Sequence, residues 1–380
     1  MPETIFLVSI TFLLYTFAGY PALLVLISRA RSRPVWKRYE PRTVSILLPV
    51  RNGESWLRTK LDSLLSLRYP QELLQIVVIS DGSTDGTDAC AMEYASRRLI
   101  EFVRSPRGGK ALALNLGMEK ARGDILFFTD VRQELDPESL EKLVACFADP
   151  SVGVVSGELS IRAGRTREEA AIGLYWNYEK WLRKRESQIG SVMGATGCIY
   201  AMRRDLAARL PAGTLADDMF LPLAALFQGY RVIFENSAKA FDYPTAIESE
   251  FRRKMRTQAG VYQIIGLYPR LLNPQNRDWL VFFSHKLARL LCPFTLLLAA
   301  AAAFGLPAPW RSAALTGQSL FYGLALADLW IPESFHLKRL SAPARSFVVL
   351  MAAAFCAAFV VLRPVENLWK ETQVRFQSLL

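Results

Sequence analysis

The hydrophobic pattern divides the chain into two textures. Between residue 43 and about 240, short apolar runs alternate with polar and amphipathic stretches. Val44–Leu48, Ile76–Ser80 and Ile125–Phe128 are rich in aliphatic and β-branched residues, and each is followed by polar residues or Gly. They are predicted strands, with helices between them. Their continuous, rather than alternating, apolar character indicates burial on both faces, hence a largely parallel sheet in an α/β domain. Val152–Ser156 and Arg231–Phe234 are candidates for further strands.

The flanks read differently. Ile5–Ile27 is an almost uncharged run of 23 residues, about 35 Å long as a helix. Only Glu3 precedes it, whereas Arg29, Arg31, Arg33, Lys37, Arg38 and Arg42 follow. That asymmetry places the basic flank in the cytoplasm. A cleaved signal would carry its positive charge first, so an uncleaved anchor is predicted, bent at Gly19–Tyr20–Pro21. After about residue 250, Phe251–Gln263 is basic and amphipathic. Leu287–Gly305 is long and apolar enough to span a bilayer, Ala313–Ile331 carries Gln318 and Asp328, and Phe347–Leu362 is short but strongly apolar. Trp279, Trp310, Trp330 and Trp369 fall near the ends of these segments, as interfacial indoles do.

The resulting division is an anchor at 1–30, a cytosolic domain at 40–245, interface helices at 246–284, transmembrane helices at 285–365 and a tail at 366–380. One N-terminal and about three C-terminal spans are expected. Four spans would bring the C-terminus to the side of the N-terminus. Arg363, Lys370 and Arg375 argue against that, which makes Ala313–Ile331 the candidate for a re-entrant or interfacial segment.

Composition fits this division. The chain has 380 residues, 51% hydrophobic and 21% charged, with a net charge of +11. The basic residues cluster beside apolar runs, which points to a membrane surface rather than nucleic acid. Five scattered cysteines without a C-x-x-C pair, and only two His, suit a reducing compartment with neither a disulfide framework nor a zinc site.

Chemistry-bearing residues collect at predicted strand ends, where ligands bind in open α/β sheets. The first strand ends in "LLPVRNGE" (47–54) and the second in "ISDGSTDGT" (79–87). Asp81 sits at such an end, Gly82 permits close approach, and Ser83, Thr84 or Asp85 can cap the next helix. In "RGGKALALNLGMEKARGD" (107–124), Gly108–Gly109 form a loop from which Lys110 can meet phosphate oxygens. Neither a Walker A loop nor G-x-G-x-x-G is present. In "GDILFFTDVRQELDP" (123–137), Asp130 ends a strand where an acid often holds a metal under a phosphate. Arg132 stands where a second acid is usual. Singly, the Asp81 stretch is a weak signal, and the Lys110 stretch reads better as an exposed turn and a capped helix.

Taken in order, P-x-R-N-x-E, S-D-G-S-T-D-G-T, G-G-K-x-x-A-L-N-x-G and T-D-V-R resemble the family 2 glycosyltransferases, with their GT-A nucleotide-binding fold. The resemblance continues through "MGATGCIYAMRR" (193–204), "LADDMFLPLAALFQGYRV" (215–232) and "RRKMRTQAGVYQ" (252–263), the last two similar to motifs of cellulose and hyaluronan synthases. It implies a UDP-sugar donor, with Pro49, Arg51, Asn52, Glu54 and Asp81 around the nucleoside and Lys110 at the diphosphate. It implies Mg²⁺ or Mn²⁺ at Asp130, Asp218 as catalytic base with Asp217 beside it, and Arg256 at the leaving diphosphate. Arg253, Gly197, Cys198 and Trp176 are the associated diphosphate or acceptor positions. Arg253 and Thr257 replace the Gln and Trp of the synthases' Q-x-x-R-W motif, which favours single addition over processive extrusion. The expectation is a multi-pass hexosyl- or N-acetylhexosaminyltransferase of a bacterial-type inner membrane, its catalytic domain cytoplasmic. Its acceptor would be a lipid, a lipid-linked sugar or a glycan, with an oligomer or polysaccharide-assembly partners as further expectations and no nucleic acid. A processive synthase and a decayed nucleotide-binding subunit are the alternatives.

Overall fold

The computed structural model describes residues 1–162, 167–243 and 247–360. The tail at 366–380, the last residues of Phe347–Leu362, and Arg363, Trp369, Lys370 and Arg375 lie outside the described residues. The chain forms two compact units. One comprises Met1–Ala30, Ala163–Leu182 and Tyr243–Leu380; the other comprises Arg31–Arg162 and Arg183–Asp242.

The second unit is built on an eight-stranded sheet: β1 (Val44–Val50), β2 (Leu74–Asp81), β3 (Glu101–Ser105), β4 (Ile125–Phe128), β5 (Glu134–Leu135), β6 (Val152–Ile161), β7 (Tyr200–Arg203) and β8 (Arg231–Asp242). Their spatial order is β3-β2-β1-β4-β7-β6-β8-β5. The first four are parallel; β7 runs antiparallel to both β4 and β6, β6 pairs parallel with β8, and β5 antiparallel with β8. The sheet is thus mixed rather than largely parallel. Both faces of the parallel half are covered, as its apolar runs require. Ile46, Leu48, Val78 and Phe127 pack in one core with Leu57, Leu61 and Leu64 of the helix Glu54–Leu65. On the other face, the helix Lys110–Lys120 sets Gly117 against Leu47 and Ile79. Each buried aliphatic side chain contributes about 1.5–3 kcal/mol. The parallel arrangement aims the ends of β1, β2 and β4 the same way, so the loops after Val50, Asp81 and Phe128 share one rim.

The first unit is helical. Among the described residues, three helices are long and apolar enough to cross a membrane: Pro2–Ala30, Trp279–Ala303 and Lys338–Val360. Just before Tyr20–Pro21, where a bend is expected, the helix passes through a π-helical turn, Tyr15–Gly19. A second π turn, Phe282–Leu287, interrupts Trp279–Ala303, and the Tyr15 hydroxyl bonds Ser284 Oγ of that turn at 2.6 Å. Ala313–Ile331 differs from expectation. It forms the helix Trp310–Ala327, which is not among the three, so two C-terminal segments rather than three qualify among the described residues. Arg311 and Gln318 within the helix are the physical reason, and Asp328 follows its end. Asp328 is buried in the turn that follows, 3.1 Å from Lys338 Nζ and accepting a 2.6 Å bond from Ser341. Residues 163–182, within the stretch read from sequence as the 40–245 domain, belong to this helical unit. There Arg253 lies 4.7 Å over the Trp176 ring and pairs with Glu250, while Lys254 lies 4.9 Å over Tyr175. Arg256 is on the same helix, Ile247–Leu267.

Candidate active site

The β1 and β2 loops are stitched together at the rim. Asn52, at φ 47°, accepts the Thr84 N–H through its side chain at 2.9 Å, and its own N–H donates to Ser83 Oγ at 3.2 Å. Glu54 accepts the Gly86 N–H at 2.9 Å, while Gly53 N–H donates to Thr87 Oγ1 at 2.8 Å. The Asn52 and Glu54 side chains, expected around a nucleoside, therefore shape the neighbouring loop. Pro49 continues β1 and Arg51 is exposed beside it. The next helix, Thr87–Ser96, has Gly86 as its N-cap, and Asp85 accepts the Thr87 N–H at 3.1 Å.

Asp81 is 4% exposed and accepts the Gly108 N–H at 2.7 Å and the Gly109 N–H at 3.0 Å. Amide bonds to an ionised carboxylate are among the stronger kind. They fix a loop in which Gly109 takes φ +83°, a conformation that L side chains resist. Lys110 opens the following helix from this anchored turn.

The acids converge on Lys110. Its Nζ lies 3.0 Å from Asp130 Oδ1 and 3.3 Å from Asp217 Oδ2, with the Lys110 side chain only 20% exposed. Burial alone would lower its pKa, but Asp130, Asp217 and Asp218 outweigh burial and hold it raised. Asp217 and Asp218 open the helix Asp217–Phe227, where the dipole favours negative charge; neither acts as the N-cap, which is Ala216. Asp217 Oδ2 is buried and has no hydrogen-bond partner beyond that ion pair. The hydroxyl of Tyr200, fully buried and stacked on Phe128 at 4.5 Å, has none either. Burial raises its pKa well above the usual value, and the charges of Asp217, Asp218 and Asp130 raise it further, so the hydroxyl faces the same acids.

Asp218 is placed by the 194–197 loop. A Cβ on Gly197 would come within 3.0 Å of Asp218 Oδ2, and Ala195 N–H donates to the Asp218 carbonyl at 2.6 Å. Arg183 fastens this loop, donating to Thr196 Oγ1 at 2.7 Å, Ser156 Oγ at 2.9 Å and the Gly194 carbonyl at 3.1 Å. Cys198 is buried, and burial pushes its thiol up to about 12, which leaves it an unreactive packing group.

Arg132 turns away from the acids. It makes a bidentate pair with Asp242 of β8, at 3.1 and 2.6 Å, and Gln133 Nε2 donates to the same carboxylate at 2.8 Å. It therefore shapes the Asp130 loop. Lys60 is a second support that sequence reading missed. Fully buried, it donates to Thr129 Oγ1 at 2.7 Å and to the Gln133 carbonyl at 2.6 Å, bracketing Asp130 from beneath. Its place on the core-facing side of an amphipathic helix was the available signal.

This set suits a divalent cation bound jointly with phosphates. Among the described residues no three His, Cys, Asp or Glu side chains group as a metal site of their own. Asp130 and the unsatisfied Asp217 oxygen offer one or two carboxylates, the usual protein share when substrate phosphates and waters complete an octahedral shell.

Gly197 and Cys198 thus lie beside the acids within the second unit, whereas Arg253, Arg256 and Trp176 belong to the first.

Comparison with known proteins gives the family of the chain. The family model "Glycosyl transferase family 2" matches residues 45–210, and "Glycosyl transferase family group 2" matches residues 132–362. The probable glycosyltransferase YdaM of Bacillus subtilis is 26% identical over 252 residues, 62% of this chain and 59% of that protein. The beta-monoglucosyldiacylglycerol synthase of Synechocystis is 24% identical over 66% of this chain and 55% of its own length. The chain thus spans little more than half of these relatives. The mannosyltransferase PcManGT of Pyrobaculum calidifontis, solved with GDP-Man and Mn²⁺, superposes with a TM-score of 0.74 at 23% identity, over 95% of this chain and 99% of that one. This likeness carries the GT-A fold. A family match across more than half of the chain settles the rest: this protein belongs to the family 2 glycosyltransferases.

Proposed function

We propose that the protein is a membrane-bound, inverting glycosyltransferase. It moves a hexosyl or N-acetylhexosaminyl group from a nucleoside diphosphate sugar, UDP-linked by the sequence reading, to a lipid, lipid-linked or glycan acceptor. The observation that carries this reading is the gathering of Lys110, Asp130 and Asp217 around one ammonium at the rim, with Asp218 beside them.

Inversion requires an acceptor hydroxyl to lose its proton as it attacks the anomeric carbon from the face opposite the departing diphosphate. A carboxylate within hydrogen-bond reach of that hydroxyl contributes about 10²–10⁴ in rate. Asp218 is the base: its carboxylate borders the Gly197 backbone, beside the Lys110–Asp130–Asp217 cluster. Lys110 neutralises phosphate charge, and the 107–109 loop held by Asp81 carries it into place. Asp130 and Asp217 would hold Mg²⁺ or Mn²⁺, which supplies further charge neutralisation on the leaving diphosphate when bound. Arg256, Arg253 and Trp176 are proposed for the diphosphate and acceptor, and Arg51 for the nucleoside.

The three long apolar helices support a multi-pass membrane location, and the basic run after Ala30 supports a cytoplasmic catalytic unit. The name of the Synechocystis relative supports a lipid acceptor. A poly-beta-1,6-N-acetyl-D-glucosamine synthase of Staphylococcus epidermidis, 31% identical over 121 residues, supports a glycan one. The deciding experiment measures nucleotide release by the full chain from UDP-glucose, UDP-galactose, UDP-GlcNAc and GDP-mannose, with Mn²⁺ or with EDTA. Release from one donor that needs the metal supports the reading. Undiminished turnover after complete chelation removes the metal, and no release from any donor, with acceptor lipids present, removes the activity.

A further inference from the structure

Lys110 occupies an unusual place for a phosphate-binding lysine. It does not extend into open space at the rim. It lies between two carboxylates, 3.0 Å from Asp130 and 3.3 Å from Asp217, with 20% of its side chain exposed. Those two acids are the ones that would meet a divalent ion. The other residue of the T-D-V-R stretch that could alter the balance, Arg132, is committed to Asp242.

We propose that Lys110 is a built-in counter-cation that closes the Asp130–Asp217 pair to free divalent ions, so that metal enters only together with the nucleoside diphosphate. The inference rests on the donor reading above and deepens it.

The argument is one of charge and ligand number. In the free protein the ammonium lies against both carboxylates, at 3.0 and 3.3 Å. A dication entering alone would have to part Lys110 from both acids, or sit within a few ångströms of a retained positive charge. It would gain at most two carboxylates, since no further acidic, His or Cys group joins them among the described residues. A diphosphate changes both terms. Its oxygens complete the metal's shell, and its negative charge takes over the ammonium released from the acids. Metal and nucleotide therefore assist each other, and linkage makes the assistance equal in both directions. Asp217 Oδ2, buried with only the 3.3 Å Lys110 contact, and the unbonded Tyr200 hydroxyl fit a site that such a joint ligand completes.

The test is binding, not turnover. Mn²⁺ is titrated into the full-length protein in detergent and followed by the electron paramagnetic resonance of the free ion, alone and with saturating UDP or GDP. For wild type, nucleotide should tighten Mn²⁺ binding substantially, roughly 5–150-fold as couplings between sites run. In Lys110→Met, which keeps the length but not the charge, Mn²⁺ alone should bind about tenfold or more tighter than to wild type, and the effect of nucleotide on it should shrink. Lys110→Gln provides the same readout if the Met variant does not fold. Wild type that binds Mn²⁺ equally well with and without a nucleotide it demonstrably binds overturns the inference and leaves the donor reading standing. So does a folded Lys110 variant whose affinity for Mn²⁺ alone is unchanged. Failure of UDP and GDP to bind wild type under any metal condition overturns the donor reading, and this inference with it.

Discussion

Replacing Arg132 with Ala tests whether this residue is scaffold or chemistry. The geometry assigns it to the scaffold. The change deletes both bonds of the bidentate pair and leaves Asp242, whose side chain is 3% exposed, with the Gln133 amide as a remaining partner. Stripping one member from a buried ion pair costs about 3–5 kcal/mol, because the other charge stays desolvated. For a unit of this size, each kcal/mol moves the melting temperature by about 2–4 °C, so a drop of roughly 6–20 °C is expected. Arg132→Asp, which would recreate the usual acidic pair, should be worse still, since it sets a second carboxylate against Asp242. Asp242→Asn should recover part of the loss in the Arg132→Ala background, with a coupling of about 0.5–3 kcal/mol across the cycle. The assay is thermal unfolding of the full chain in detergent, followed by tryptophan emission. The Mn²⁺ requirement for nucleotide release is measured on the same samples at a temperature where the variant is folded. An unchanged melting temperature with a weakened metal or nucleotide response would refute the reasoning and return Arg132 to the phosphates.

Three further outcomes are expected. Asp218→Asn should cut sugar transfer by about 10² or more while nucleotide affinity stays close to wild type; equal activity would remove Asp218 from the mechanism. Gly197→Ala brings a methyl to 3.0 Å from Asp218 Oδ2 and should lower kcat by displacing that carboxylate, with donor KM little changed; a wild-type kcat would show that the acid has room to move. Lys60 gives a pH signature. Burial lowers its pKa from 10.5 to about 8, so between those values the unfolded chain holds the extra proton and stability rises with pH. The burial cost, about 3 kcal/mol, is therefore full below the folded value and fades towards the unfolded one. Lys60→Met should lose this rise, and parallel melting-temperature profiles of wild type and variant against pH would contradict it.

The sequence made some of this architecture plain and concealed the rest for physical reasons. β1, β2 and β4 stood out because burial on both faces demands uninterrupted apolar runs, and the ends of those strands led to Asp81 and Asp130. β3 hides behind Glu101 and Arg104, as edge strands do, and β7 is only four residues long. The antiparallel insertion of β7 between β4 and β6 leaves no trace in local pattern, because pairing partners such as Phe128 and Tyr200 are far apart in sequence. At the site, Lys110, Asp130, Asp217 and Asp218 were singled out together only through the resemblance to the family 2 glycosyltransferases, and the structure brings them together. The partnership of Arg132 with Asp242 spans 110 residues and was not legible. Lys60 was legible only by its helical spacing with Leu57, Leu61 and Leu64, and Arg183 reads as one cation in a basic run.

The turn in front of Lys110 is gripped by its main chain, through the amides of Gly108 and Gly109, and Gly82 packs against the backbone of Arg107. A path fixed in this way is indifferent to what hangs from it. Arg107, exposed one step before the two glycines, can be exchanged for almost any residue without shifting the helix that follows. Natural drift, or a designed library, at this spot would therefore leave Lys110 in its position.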